Sequence, residues 1–383
     1  MSTAVRPFRI DIPDGQLVDL QDRLRRTRWP DAETVDDWSQ GVPLSYLQDL
    51  CQHWTQRYDW RRAESRINAI PQFATDIDGV EIHFLHARSP HPGALPLIVT
   101  HGWPGSIVEF LKVIGPLTDP VAHGGDAADA FDVVCPSLPG YGFSGKPSVT
   151  GWGVGRIAAA WAEVMARLGY RRYGAQGGDW GSAVTSALGR HDPDHLAGIH
   201  LNMPVVPLGS IDVGAMTAAE QEALASLADF RKWGSGYSKQ QSTRPQTLGY
   251  GLADSPVGQC AWIVEKFQAW TDCDGHPENV FTRDELLDNV MLYWLTGSAA
   301  SSARLYWESY DAGFGGSGHR PIDVPTGCSI FPKEVVRISR RLAETGFSDI
   351  RYWNQLDRGG HFAAFEQPEL FVDELRSAFR LMR

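Results

Sequence analysis

Apolar and polar positions change their spacing along this chain. Near the start, Leu17, Leu20 and Leu24 recur at helical intervals and predict a helix over residues 17–28. It should stop at Trp29-Pro30, because a proline disfavours helix at the residue before it. Residues 43–58 predict a second helix. A long irregular stretch is expected between and after these two, running to Pro71; loops of that length usually wrap over something. Residues 73–78 and 80–88 then read as a hairpin around Asp78-Gly79.

From Pro96 the pattern is different. Apolar-leaning runs at 97–100, 131–136, 170–176 and 199–202 alternate with helical stretches at 107–117, 154–168 and 183–189. Strands without alternation suit a parallel sheet buried on both faces. The alternation predicts an α/β fold, a mostly parallel doubly wound sheet with right-handed crossovers. Over 205–320 helix formers and aromatics take over, which reads as a helical cap inserted into the core. Strands return at 326–331 and 351–354, and a helix over 368–380 closes the chain. The expected division is an N-terminal extension at 1–90, core at 91–204, cap at 205–320 and core again at 321–383.

Composition narrows the class. The 383 residues are 43% hydrophobic and 21% charged, as in a globular enzyme. A net charge of −11 argues against nucleic acid as a partner. The basic run from Arg23 to Arg28 is read as the solvated face of a helix. Five scattered cysteines, with no CxxC and no zinc spacing, suggest reduced thiols in a cytoplasm. There is no apolar leader at the N-terminus and no run of 18 apolar residues, so no membrane anchor is expected.

The chemistry gathers around Gly177-Gly178-Asp179-Trp180-Gly181. Glycines two residues either side of Asp179, between a strand and a helix, make a nucleophile elbow. The usual occupant is serine, and no G-x-S-x-G occurs. A carboxylate there attacks carbon and forms an ester with it, which suits strained or activated carbon. After the strand at 97–100 comes His101-Gly102-Trp103-Pro104-Gly105, where the backbone N–H groups of Trp103 and Trp180 could hold an oxyanion. His361, in Gly359-Gly360-His361-Phe362, fits the base. The acid should lie between them. Glu334 follows a strand and a proline turn, although it could instead cap a helix starting at Val335; Asp323, Asp349 and Asp357 are rivals.

With these residues in view, the chain resembles epoxide hydrolases of the microsomal type, on the α/β-hydrolase fold, along essentially its whole length. The motifs are Thr27-Arg28-Trp29-Pro30, the run from His101 to Ser106, Pro139-Gly140-Tyr141-Gly142-Phe143-Ser144, the Asp179 elbow, Asp254-Ser255-Pro256-Val257-Gly258 and the run from Gly359 to Glu366. The resemblance implies Asp179 as nucleophile, His361 as base and Glu334 as acid. It also implies two cap tyrosines, Tyr237 and Tyr306, that hold and protonate the epoxide oxygen. The family usually has a histidine two residues after the first tyrosine, where this chain has Lys239.

The implied product is a vicinal diol, with no metal or organic cofactor and a small-molecule epoxide as the partner. Trp233, Trp262, Phe267 and Trp294 are expected to line an aromatic cap pocket for a bulky or aryl epoxide. Such an enzyme would serve detoxification or antibiotic biosynthesis, enediyne pathways included. The N-terminal extension would either cover the cap or meet a second subunit in a homodimer. Two other readings compete: a haloalkane dehalogenase, and a non-catalytic ligand receptor on the same fold.

Overall fold

A computed structural model describes residues 3–206, 216–310 and 320–383. The two ends of the cap span, at 207–215 and 311–319, lie outside the described residues.

The chain opens with β1 (Arg6–Phe8), α1 (Asp14–Arg25), α2 (Leu44–Gln56) and α3 (Trp60–Asn68). The predicted hairpin follows as β2 (Gln72–Ile77) and β3 (Val80–Ala87), then β4 (Leu95–Thr100), α4 (Ile114–Thr118), β5 (Phe131–Pro136), α5 (Val154–Arg167), β6 (Tyr173–Gly177), α6 (Asp179–His191) and β7 (Leu196–Leu201). The cap supplies α7 (Ala218–Asp229), α8 (Gly236–Thr243), α9 (Pro245–Asp254), α10 (Pro256–Trp270), α11 (Arg283–Leu295) and α12 (Ala299–Tyr310). The core ends with β8 (Thr326–Ile330), α13 (Arg340–Ala343), β9 (Ile350–Gln355), α14 (Ala363–Glu366) and α15 (Pro368–Arg380).

Among the described residues nine strands form one sheet in the order β1-β2-β3-β5-β4-β6-β7-β8-β9. The first three pairings are antiparallel and the remainder parallel. Every residue of β6 and β7 is buried, as uninterrupted apolar strands between helical layers should be. The boundary expected at residue 90 falls between β3 and β4, inside this sheet.

Two elements differ from the sequence reading. The stretch expected to be irregular before Pro71 contains α3, whose N-cap Asp59 accepts from the Arg61 N–H and which buries Trp60, Ala63, Glu64 and Ile67. The helix expected at 107–117 is a 3-10 turn at Ile107–Phe110 followed by the short α4, which contains Pro116.

The extension lies on the cap. Tyr58 Oη donates to Asp288 of α11 at 2.9 Å, and Arg66 pairs with the same carboxylate. His53 meets Asp284 at 2.6 Å, and Arg23 of α1 reaches Asp254 at the end of α9 at 2.9 Å. All five cysteines are buried and unpaired. No helix among the described residues is long and apolar enough to cross a membrane.

Candidate active site

The elbow follows from local geometry. β6 ends at Gly177, Gly178 caps α6, and Asp179 is the first helical residue at φ +48°, a left-handed conformation uncommon outside glycine. The turn is so tight that a Cβ on Gly181 would lie 2.0 Å from the Thr100 carbonyl oxygen. A Cβ on Gly102 would lie 2.1 Å from Asp179 Oδ1. Glycine at 102 therefore leaves the room that the carboxylate occupies.

Asp179 is buried and its two oxygens face different partners. Oδ1 accepts from the Trp103 backbone N–H at 2.8 Å. Oδ2 lies 3.4 Å from His361 Nε2. On the far side of the ring, His361 Nδ1 is 2.6 Å from Glu334 Oε1, and the Glu334 side chain is fully buried. Glu334 also accepts from the Val335 N–H at 2.6 Å, but no helix begins there. The rival carboxylates are elsewhere: Asp323 bonds Ser348, Asp349 pairs with Arg351, and Asp357 is exposed. Burial works against a charged imidazole at His361. The charge of Glu334 and the bond to Asp179 outweigh it, so the pKa is held well above the ordinary histidine value.

The loop carrying His361 is clamped to the end of α10. The His361 N–H donates to the Trp270 carbonyl at 2.9 Å, and Asp272 Oδ2 accepts from the Gly359 N–H at 2.9 Å. In return Glu366 accepts from the N–H groups of Asp272 and Phe362, each at 3.0 Å.

The cap also grips the oxyanion turn. On α11, Asn289 donates to the Pro104 carbonyl and Tyr293 to the Gly105 carbonyl, each at 2.7 Å. The Pro139–Ser144 loop meets α12, where Ser301 donates to the Gly140 carbonyl at 2.6 Å and Tyr141 to the Ser302 carbonyl at 3.1 Å. His101 is buried and its pKa falls to about 4 through desolvation; its Nε2 accepts from the Leu138 N–H at 3.2 Å, a structural role.

Tyr237 and Tyr306 line the same cavity as Asp179. Tyr237, in the first turn of α8, stacks on Trp103 at 4.9 Å and meets Tyr306 edge-on at 5.8 Å. Tyr306 also meets the fully buried Trp180 edge-on at 4.8 Å. Burial pushes the Tyr306 phenol well above its usual value, with Tyr237 and Asp179 adding to the effect. Its hydroxyl has no acceptor among the described residues. Lys239, where a histidine was the expectation, is exposed and at the cavity wall, and Tyr237 is nonetheless seated in the site.

The four expected cap aromatics do not line the cavity, which is a correction to the sequence reading. Trp233 is 75% exposed. Trp262 donates to Gln241 at 3.2 Å, and Trp294 lies beside Arg23 at the extension. Phe267 is buried behind the base, stacked on Phe362 at 4.1 Å. The aromatic wall is instead Trp270, one turn beyond Phe267 on α10, with Phe230, Phe331 and the two tyrosines. The cavity holds about 1320 Å³.

A family model described as "Epoxide hydrolase N terminus" matches residues 5–110, and one for the alpha/beta hydrolase fold matches 96–251. A Stigmatella aurantiaca protein is 57% identical, covering 99% of this chain and 86% of its own. Epoxide hydrolase 1 of Oryctolagus cuniculus is 36% identical, covering 97% of this chain and 88% of its own. The solved Aspergillus niger epoxide hydrolase superposes with TM-score 0.88 at 32% identity, covering 99% of this chain and 97% of that one. The Bombyx mori juvenile hormone epoxide hydrolase gives the same TM-score at 29% identity, covering 99% and 95%.

Proposed function

The chain belongs to the epoxide hydrolases of the α/β-hydrolase fold, and from that premise we propose how its residues divide the conversion of an epoxide and water to a diol. One observation carries the assignment: the two oxygens of Asp179 are already sorted, Oδ1 onto the Trp103 N–H and Oδ2 toward His361.

Tyr237 and Tyr306 hydrogen-bond the epoxide oxygen. Asp179 Oδ2 attacks a ring carbon from the opposite side. The carbon–oxygen bond of the ring breaks, and the freed oxygen takes a phenolic proton. Burial keeps the Tyr306 proton in place until then. The result is a hydroxyalkyl ester of Asp179. His361 next takes a proton from water, and the hydroxide attacks the ester carbonyl. The carbonyl oxygen is Oδ1, held by the Trp103 N–H, with the Trp180 N–H as the second donor. Collapse breaks the bond between the ester oxygen and the Asp179 carbonyl carbon, and the departing alkoxide takes the proton of the added hydroxyl, which restores the Asp179 carboxylate. The diol leaves, and His361 keeps the proton taken from water, as in the resting enzyme.

Esterification also times the base. The Asp179 charge and its bond to His361 both raise the imidazole pKa. Both are lost when the carboxylate becomes an ester, so the imidazolium proton passes to the phenolate at that point, and only then, with an ester in place to hydrolyse, can His361 accept a proton from water.

The cavity volume and its wall of Trp270, Phe230, Met203, Val206 and Leu227 support a bulky or aryl epoxide, of the kind met in detoxification or antibiotic biosynthesis. The buried, unpaired cysteines support a cytoplasmic setting. The test is the His361→Gln variant with an aryl epoxide. It should accumulate an adduct on the Asp179 peptide equal in mass to the substrate. Full turnover by this variant, or by Asp179→Ala, overturns the assignment.

A further inference from the structure

Helix α10 buries a lysine. The Lys266 side chain is only 7% exposed, and lysine is seldom buried unless its charge is answered. Its partner is Glu265, the preceding residue, whose side chain is 30% exposed and meets the ammonium from the more open side. Burial draws the Lys266 pKa below the ordinary lysine value, and the charge and bond of Glu265 oppose this.

The inner side of the ammonium faces aromatic rings. Lys266 and Trp270 are four residues apart and share a helix face. Lys266 Nζ lies over the Tyr237 ring at 4.7 Å and over the Trp270 ring at 5.8 Å, and those two rings meet at 5.1 Å. Tyr237 lines the cavity and Lys266 does not, so the cation stands behind the phenol. The second phenol has a different setting. Burial and the Asp179 charge both hold the proton of Tyr306.

We propose that Lys266 is a positioning residue for ring opening: its ammonium steadies the negative charge that Tyr237 takes on as it gives its proton to the epoxide oxygen. This rests on the epoxide hydrolase reading and deepens it. As Asp179 Oδ2 bonds the ring carbon, the ring carbon–oxygen bond breaks and the freed oxygen takes the Tyr237 proton. The charge thereby leaves Asp179 and appears on the phenol, until the His361 proton restores it. A cation over the ring attracts phenolate more than phenol, so it lowers the barrier and not only the ground state. Opposite unit charges about 5 Å apart at an effective dielectric of about 20 change an equilibrium by about two orders of magnitude. With the charge partly developed and Glu265 opposing, about ten- to thirtyfold in rate is expected.

The test measures ester formation and ester hydrolysis separately, by rapid quench with styrene oxide as the probe. Lys266→Met should slow ester formation by about ten- to thirtyfold and leave hydrolysis within about twofold. Lys266→Arg keeps a cation over the ring and should stay within about threefold of wild type in both steps. A Tyr237→Phe background separates charge from packing. Phenylalanine keeps the ring and its contact with the cation but cannot become a phenolate, so Lys266→Met should there cost less than about twofold. If Lys266→Met does not fold, Lys266→Gln removes the same charge and carries the same expectations. Equal slowing of both steps, a Lys266→Arg variant as slow as Lys266→Met, or the same loss with and without the Tyr237 hydroxyl overturns the proposal. Failure of the wild type to open styrene oxide, stilbene oxide and a terminal alkyl epoxide alike overturns the hydrolase reading beneath it.

Discussion

The Trp103 backbone N–H donates to Asp179 Oδ1 at 2.8 Å, so the oxyanion donor is engaged with the nucleophile before any substrate arrives. In the proposed mechanism the oxygen that becomes the ester carbonyl is already in its hole, and Oδ2 is left to attack. On that scheme water adds to the Asp179 carbonyl carbon and not to the substrate. A single turnover in ¹⁸O-labelled water, with enzyme in excess, should place the label in the Asp179 peptide and leave the diol unlabelled. Label in the first-turnover diol would show direct hydration instead.

Gly102→Ala tests the space behind the carboxylate. The added methyl would lie 2.1 Å from Oδ1 and must push it off the Trp103 N–H. Loss of one oxyanion donor typically costs about 10²–10³ in kcat, and a loss in that range is expected here with a native circular dichroism spectrum. Gly251→Ala, where nothing lies within 4 Å of the new methyl, should retain full activity. Wild-type kcat in Gly102→Ala would mean that the carboxylate is not held as described.

In the proposed mechanism the tyrosines act on ring opening only. Tyr306→Phe should slow ester formation by about 10²-fold or more, the usual worth of a positioned acid. Hydrolysis of an ester already formed should be unchanged. Rapid-quench measurements separate the two rates, and an equal slowing of both would assign Tyr306 a structural role. Tyr237→Phe should behave alike, with the double variant slower than either.

Glu109 gives a pH dependence of stability. Burial, with the Asp179 and Glu366 charges adding to it, raises its pKa to about 8 against the opposing pull of His361. The ordinary carboxyl value of 4.5 applies when the chain unfolds. Between these values the folded state binds more protons, so the contribution of Glu109 to stability declines as pH rises through that window. Glu109→Gln should therefore raise the Tm at pH 8 by a few °C relative to wild type, at about 2–4 °C per kcal/mol for a large domain, with no gain at pH 5. Equal Tm differences at both pH values would show that Glu109 is ionised throughout.

Much of this site was legible because each part has a local signature. The elbow needs glycines flanking Asp179, the oxyanion turn needs Gly102, and Glu334 follows a strand end. Helix α3 was not legible, since WRRAESRIN shows its apolar face only at Trp60, Ala63 and Ile67. The three residues of β1 form a strand only through pairing with β2. The cavity wall was also beyond reach. Helix α10 is buried around much of its circumference, so Phe267 and Trp270 look alike in sequence. Only the docking of the cap on the His361 loop decides that Trp270 faces the cavity. Tyr237 and Tyr306 came from the family resemblance alone, as two of 11 tyrosines.

The reciprocal bonds between residues 270–272 and the Gly359–Glu366 loop bear on engineering. A chimera that borrows another enzyme's cap cannot place its second junction at the end of α10. The donor segment would have to bring a carbonyl at 270 and a carboxylate at 272 that match the acceptor's Gly359 and Glu366, or the base would lose its seat while the core stayed folded. Substrate range and the placement of His361 are therefore inherited as one block, and cap exchange in this fold is also a graft of part of the base's support.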